Sequence, residues 1–188
     1  MNGSIDDVTA LERAYDDLMR VVSNLSLDEL STPTPCSDWD VRGLLNHVLG
    51  TAEMFTSANA GRSVGEDAGD LVGDDPTGAL KRTALANLIT WRQDGALEGS
   101  RTYPWGTFPA PVGLVINVSE VAVHSWDLAR ASGQPAHIDR DVAATVYEFY
   151  RQMPLDDLRT KGVFGAEVTV PAGAPVPDRL LGLLGREL

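Results

Sequence analysis

Glu120 and His124 stand four residues apart in "SEVAVHSWDLARASG", residues 119–133, in a chain that holds only three histidines. Four apart is one turn of α-helix, so a carboxylate and an imidazole can share a face and address one object. Leu114, Val115, Val118, Val121, Ala122 and Val123 surround the pair, and an apolar helix of this kind leaves little surface for water. A carboxylate there is costly unless a cation meets it. Arg130 lies more than two turns on, so the partner is a metal ion, a distant arginine, or hydrogen-bond donors at a helix end.

A metal needs a further ligand from another element. His47, in "RGLLNHVLGTAE", shares a helical side with Leu44, Val48 and Thr51, so its ring leans inward. It reads either as a packed core histidine or as a ligand. Two imidazoles and one carboxylate fill three positions of a tetrahedral zinc site and leave the fourth for water or substrate, the pattern of a catalytic site. The same donors in a more open geometry suit non-haem iron. Asp127, three residues past His124, reads as an acceptor for the ligand imidazole or as a salt-bridge partner of Arg130.

Other reactive types carry weaker expectations. His137, in the loop "SGQPAHIDR", reads as solvated. Cys36, after "TPTP", reads as a packed small side chain, with a reactive thiol as the alternative. Tyr103, Trp105 and Phe108 in "TYPWGTFP" line a substrate or thiol pocket, or cap one end of the core. No Gly-rich phosphate loop or nucleophile elbow is present in the sequence.

The elements that must position these groups are helical. Ile5, Val8, Leu11, Tyr15, Leu18, Val22 and Leu25 mark a first helix with Ser4 and Asp7 at its start. A second is expected from Ser37 or Asp38 to about Ala60, closed by Gly61. Asp75 and Pro76 open a third, with Leu80, Ala84, Leu88 and Trp91 inward and Gly95 or Gly99 at its end. A fourth runs from about Pro111 to Ser132, and a fifth from Asp139 carries Val142, Val146, Phe149, Tyr150 and Met153. Residues 61–75 read as a mobile loop or lid. "SRTYPWGTFPAPVG" reads as a turn-rich connection, "VFGAEVTVPAG" as an extended segment or short strand, and "VPDRLLGLLGREL" as a last short helix. This predicts an all-α fold, a helical bundle forming one domain over residues 1–188.

Composition narrows the function. A formal charge of −12 argues against nucleic acid and against an anionic membrane surface. The apolar run "PVGLVINVSEVAV" is too short to span a bilayer, and the acidic N-terminus has no signal-peptide pattern, so a cytoplasmic protein is expected. One cysteine rules out an internal disulfide framework.

"STPTPCSDWDVRGLLNHVLG" and "EVAVHSWDLARASGQ", with their spacing, resemble the two signatures of the mycothiol-dependent maleylpyruvate isomerase-like proteins of the DinB/YfiT-like superfamily. The ending "VFGAEVTVPAGAPVPDRLLGLLGRE" is similar to that of a single-domain actinobacterial subgroup described as metal-binding. Of the fifteen basic residues only Lys81 and Lys161 are lysines, a composition that fits such a GC-rich source. The resemblance implies a DinB/YfiT-like four-helix bundle holding a divalent metal, often zinc, on His47, Glu120 and His124. It also implies mycothiol as thiol cosubstrate in isomerase or transferase chemistry on a small electrophile, with a homodimer as the assembly. The isomerases carry a further C-terminal domain that helps build the substrate site; the sequence here stops without it, so isomerisation of maleylpyruvate itself is not expected. A non-catalytic metal-binding bundle and a metal-dependent hydrolase remain as alternatives.

Overall fold

The computed structural model describes residues 6–62 and 69–188. The first four long helices are α1 (Asp7–Ser23), α2 (Val41–Asn59), α3 (Pro76–Trp91) and α4 (Ala110–Ala131). They pack as a four-helix bundle in which α4 lies against both α1 and α2, and α3 closes the other side. After α4 come α5 (Arg140–Tyr150), a one-turn α6 (Asp156–Thr160) and α7 (Val176–Leu183). The fold is the helical bundle expected, with one small sheet added.

Local chemistry sets the helix starts. Asp6 caps α1 by accepting from the Thr9 amide at 3.0 Å, and Asp7 is the first residue of the helix itself; Ser4 and Ile5 lie outside the described residues. Asp40 caps α2 through the Gly43 amide at 2.7 Å, three residues later than Ser37. The delay has a cause. Residues 32–40 fold back on themselves, with Val41 N–H donating to Thr32 O, Trp39 N–H to Cys36 O, and the Thr34 hydroxyl to Trp39 O. Asp75 and Pro76 start α3 as expected, but the helix stops at Trp91, before either glycine. Part of the expected lid, residues 63–68, lies outside the described residues.

The turn-rich connection is in fact a hairpin, β1 (Ser100–Tyr103) antiparallel to β2 (Gly106–Pro109), with Tyr103 opposite Gly106. A two-residue loop of Pro104 and Trp105 joins the strands, and Gly106 holds a φ of 141°. Alternation over four residues is too brief to separate a strand from a loop in the sequence. "VFGAEVTVPAG" is extended without strand pairing, tied to α7 by Val168 N–H to Gly182 O.

Helix α4 is buried nearly all round, as its apolar composition requires: Leu114, Val118, Val121, Leu128 and Ala129 have 1% exposure or less. Its polar residues therefore need internal partners. Asn117 accepts from the Trp91 indole at 3.0 Å, and Tyr15 donates to Asn87 at 3.0 Å nearby. No helix among the described residues is long and apolar enough to cross a membrane.

Candidate metal centre

Glu120 points from α4 towards α2, where His47 meets it. The Nε2 atoms of His47 and His124 both approach one carboxylate oxygen, Glu120 Oε2, at 3.0 and 3.4 Å. One donor atom from each of the three residues lies within 4.8 Å of the others, close enough for one ion. The rings cross edge to face at 87°, with centroids 5.1 Å apart. Burial pushes the Glu120 carboxyl up, yet hydrogen bonding to His124 and His47 outweighs it and holds the group well below the usual carboxylate range.

The far side of His124 is fixed as firmly. Its Nδ1 meets Asp127 Oδ2 at 2.9 Å. Asp127 is fully buried and also receives the Arg186 guanidinium, Nη2 to Oδ2 at 3.0 Å, and the Cys36 thiol at 3.3 Å. Burial alone raises the Asp127 carboxyl; His124 and Arg186 bring it below its ordinary value. Burial alone lowers the His124 imidazole; Asp127, Cys36 and Glu120 hold it well above its ordinary value. That rise favours a proton on both ring nitrogens; with the Nδ1 proton kept towards Asp127, loss of the Nε2 proton would turn the nitrogen facing Glu120 and His47 into a metal donor.

A cleft of about 890 Å³ opens beside the three donors. Cys36, Trp39, Val123, Trp126 and Arg130 line it from the bundle, and Phe164 and Arg186 line it from the segments around α7. Trp39 stacks on His47, centroids 4.4 Å apart and planes 21° from parallel. Gly43 allows this approach, because a Cβ there would sit 3.2 Å from the indole.

The structure thus brings His47, Glu120 and His124 together and sets Asp127 behind His124. Asp127 does not pair with Arg130; that guanidinium lies over the Trp126 ring, 5.4 Å from its centroid. Trp105 and Phe108 are placed elsewhere. They flank Tyr103 on the hairpin, which packs on Phe55, and neither lines the cleft. Phe55 follows His47 by eight residues, about 12 Å along a helix axis. His137 is exposed and pairs with Asp17 at 3.1 Å, away from the cluster. Cys36 joins a second close group with His124 and Asp127, but Arg186 already supplies the cation there. Trp39 and Arg186 were missed in the sequence. A tryptophan beside a cap and four residues before a glycine was a signal for Trp39; nothing local marks Arg186, whose partner is 59 residues away.

Comparison with known proteins agrees with this architecture. The chain is 29% identical to two uncharacterized proteins of Mycobacterium tuberculosis, from strains CDC 1551 and H37Rv, over 97% of this chain and 98% of each relative. The crystal structure of the mycothiol-dependent maleylpyruvate isomerase superposes with a TM-score of 0.62 at 19% identity, covering 76% of this chain and 67% of that one, a likeness of fold. The family model described as the mycothiol maleylpyruvate isomerase N-terminal domain matches residues 11–129, a span that holds His47, Glu120, His124 and Asp127. On that match, the chain belongs to the mycothiol maleylpyruvate isomerase N-terminal domain family.

Proposed function

We propose that this protein is a divalent-metal enzyme that uses a low-molecular-weight thiol, mycothiol, for transfer or isomerisation on a small electrophile. His47, Glu120 and His124 hold the metal, zinc by the nature of the donor set. The observation that carries the reading is the convergence of both Nε2 atoms on Glu120 Oε2 at the wall of a cleft. Among the described residues, the groups paired with that carboxylate are these two imidazoles, neutral donors when they bind a metal. A divalent cation bound there would take over from the raised His124 the task of balancing the Glu120 charge.

Bound zinc supplies a Lewis acid that favours the thiolate form of a sulfur brought to it. The chain's own residues do the rest. Asp127 keeps the Nδ1 proton of His124 in place, and Trp39 keeps the His47 ring from turning. Asp127 and Cys36 contact the Nδ1 side of His124, not the Nε2 side. A metal held by His47, Glu120 and His124 would therefore stay accessible to a ligand from the cleft, which favours catalysis over a closed structural site. A cleft of about 890 Å³ accommodates a thiol and a small electrophile side by side.

Metal analysis of protein purified without chelator, wild type beside His124→Ala, tests the site. Wild type should carry stoichiometric zinc and the variant only traces; equal content would sink the assignment. Titrating mycothiol into cobalt-loaded protein should then produce sulfur-to-cobalt absorption. An unchanged spectrum would remove the thiol from the proposal and favour a hydrolase.

A further inference from the structure

Asp127 ties two distant parts of the chain together. From its own helix it accepts the His124 Nδ1 proton. From beyond α7 it accepts Arg186 side-on, Nε to Oδ1 at 3.4 Å and Nη2 to Oδ2 at 3.0 Å. Arg186 is fixed in turn: its Nη1 donates to Leu184 O at 3.0 Å and its backbone amide to Leu181 O at 2.8 Å. Its side chain is only 12% exposed. The residues matched by the family model end at 129, so Arg186 stands outside that match.

We infer that Arg186 is a positioning residue of the metal centre, acting on His124 through Asp127, so that docking of the segment after α7 and metal binding favour one another. The inference rests on the proposed metal site and adds a control on it. A planar guanidinium presents two donors in a fixed fork, so it sets the angle of the Asp127 carboxylate as well as its charge. The carboxylate in turn sets the ring orientation and basicity of His124. Coupling of this kind is reciprocal: whatever docks the segment tightens the metal, and the metal holds the segment.

Docking depends on a close backbone approach. Gly185 adopts a φ of 83°, and a Cβ there would lie 2.6 Å from the Gly165 Cα. Gly182 makes a similar approach to Val168 O. Gly185→Ala therefore displaces the segment while leaving Asp127, Arg186 and all three metal donors chemically intact.

The test measures zinc affinity by competition with a chromophoric chelator for wild type, R186Q, R186K, G185A, D127N and the D127N/R186Q double variant. R186Q should weaken zinc binding about 10- to 100-fold, with G185A changing it in the same direction and R186K, which keeps the charge but not the fork, falling between. On the D127N background R186Q should add less than about threefold, because the path is already cut. Zinc should also slow amide hydrogen exchange at Leu184 and Arg186 of the wild type, a comparison that needs no variant to fold. Wild-type affinity in R186Q, an undiminished R186Q effect on D127N, or zinc-independent exchange would each overturn the inference. Failure of wild type itself to bind zinc would overturn the site reading and this inference with it, whereas tight wild-type binding unaffected by R186Q overturns the inference alone.

Discussion

Replacing Asp127 by asparagine removes the anion between two buried cationic groups while nearly preserving shape. Asp127 has no exposed surface and the Arg186 side chain is 12% exposed, so little solvent is at hand to screen what is left behind. Removing one partner of a buried pair costs about 3–5 kcal/mol. The amide oxygen of asparagine still accepts one hydrogen bond, which places D127N at the lower end, about 3 kcal/mol. For a domain of this length that corresponds to a fall in Tm of about 6–12 °C. The measurement is thermal unfolding of chelator-treated protein by circular dichroism, so that loss of metal does not enter. Its pH dependence follows from the two shifted groups. Asp127 is depressed in the folded state, so its contribution is complete above its unfolded value, about 3.9, and is lost as pH falls through the lower folded value. His124 is raised in the metal-free fold, so its contribution is complete below its unfolded value, about 6.5, and is lost as pH rises through the higher folded value. The gap between wild type and D127N should be widest between about pH 4 and 6.5. A gap below about 1 kcal/mol in that window, or one that widens towards acid, would refute the reasoning.

Gly113→Ala should destabilise the protein by about 1–3 kcal/mol through overpacking, since its Cβ would fall 2.2 Å from the Tyr103 hydroxyl on the buried face of the hairpin; denaturant unfolding checks this, and a neutral variant would show that the hairpin can shift freely. Trp39 emission should change when metal binds, because the indole stacks on His47. Trp39→Phe, which keeps an aromatic ring against His47, should remove that signal while the protein still binds metal, and an unchanged emission spectrum on loading wild type would contradict the placement of the ion at His47.

How much of the site was legible depended on how far apart its parts lie in the chain. Glu120 and His124 were readable as a pair because a helix converts a spacing of four into a shared face. His47 was readable as inward-facing, since Leu44 and Val48 fix its side of α2. The hairpin was not readable: its four-residue strands offer too little alternation, and what makes them a sheet is burial of Tyr103 against Phe55. The place of Trp105 and Phe108 was not readable for the same reason, as aromatic character does not say which end of a bundle a loop will cover.

Composition and periodicity alone determined that this chain forms amphipathic helices, that one of them must be buried on nearly every side, and that the carboxylate on it needs a polar or charged partner. Those properties are local, carried by side chains within a few turns of each other. Only the tertiary structure decided that the Asp127 partner is Arg186 and not Arg130, and that Cys36 and Trp39 reach the same cleft. Ion pairs and stacking act over a few ångströms of space whatever the separation in sequence, so such partners exist as a fact only once the chain has folded.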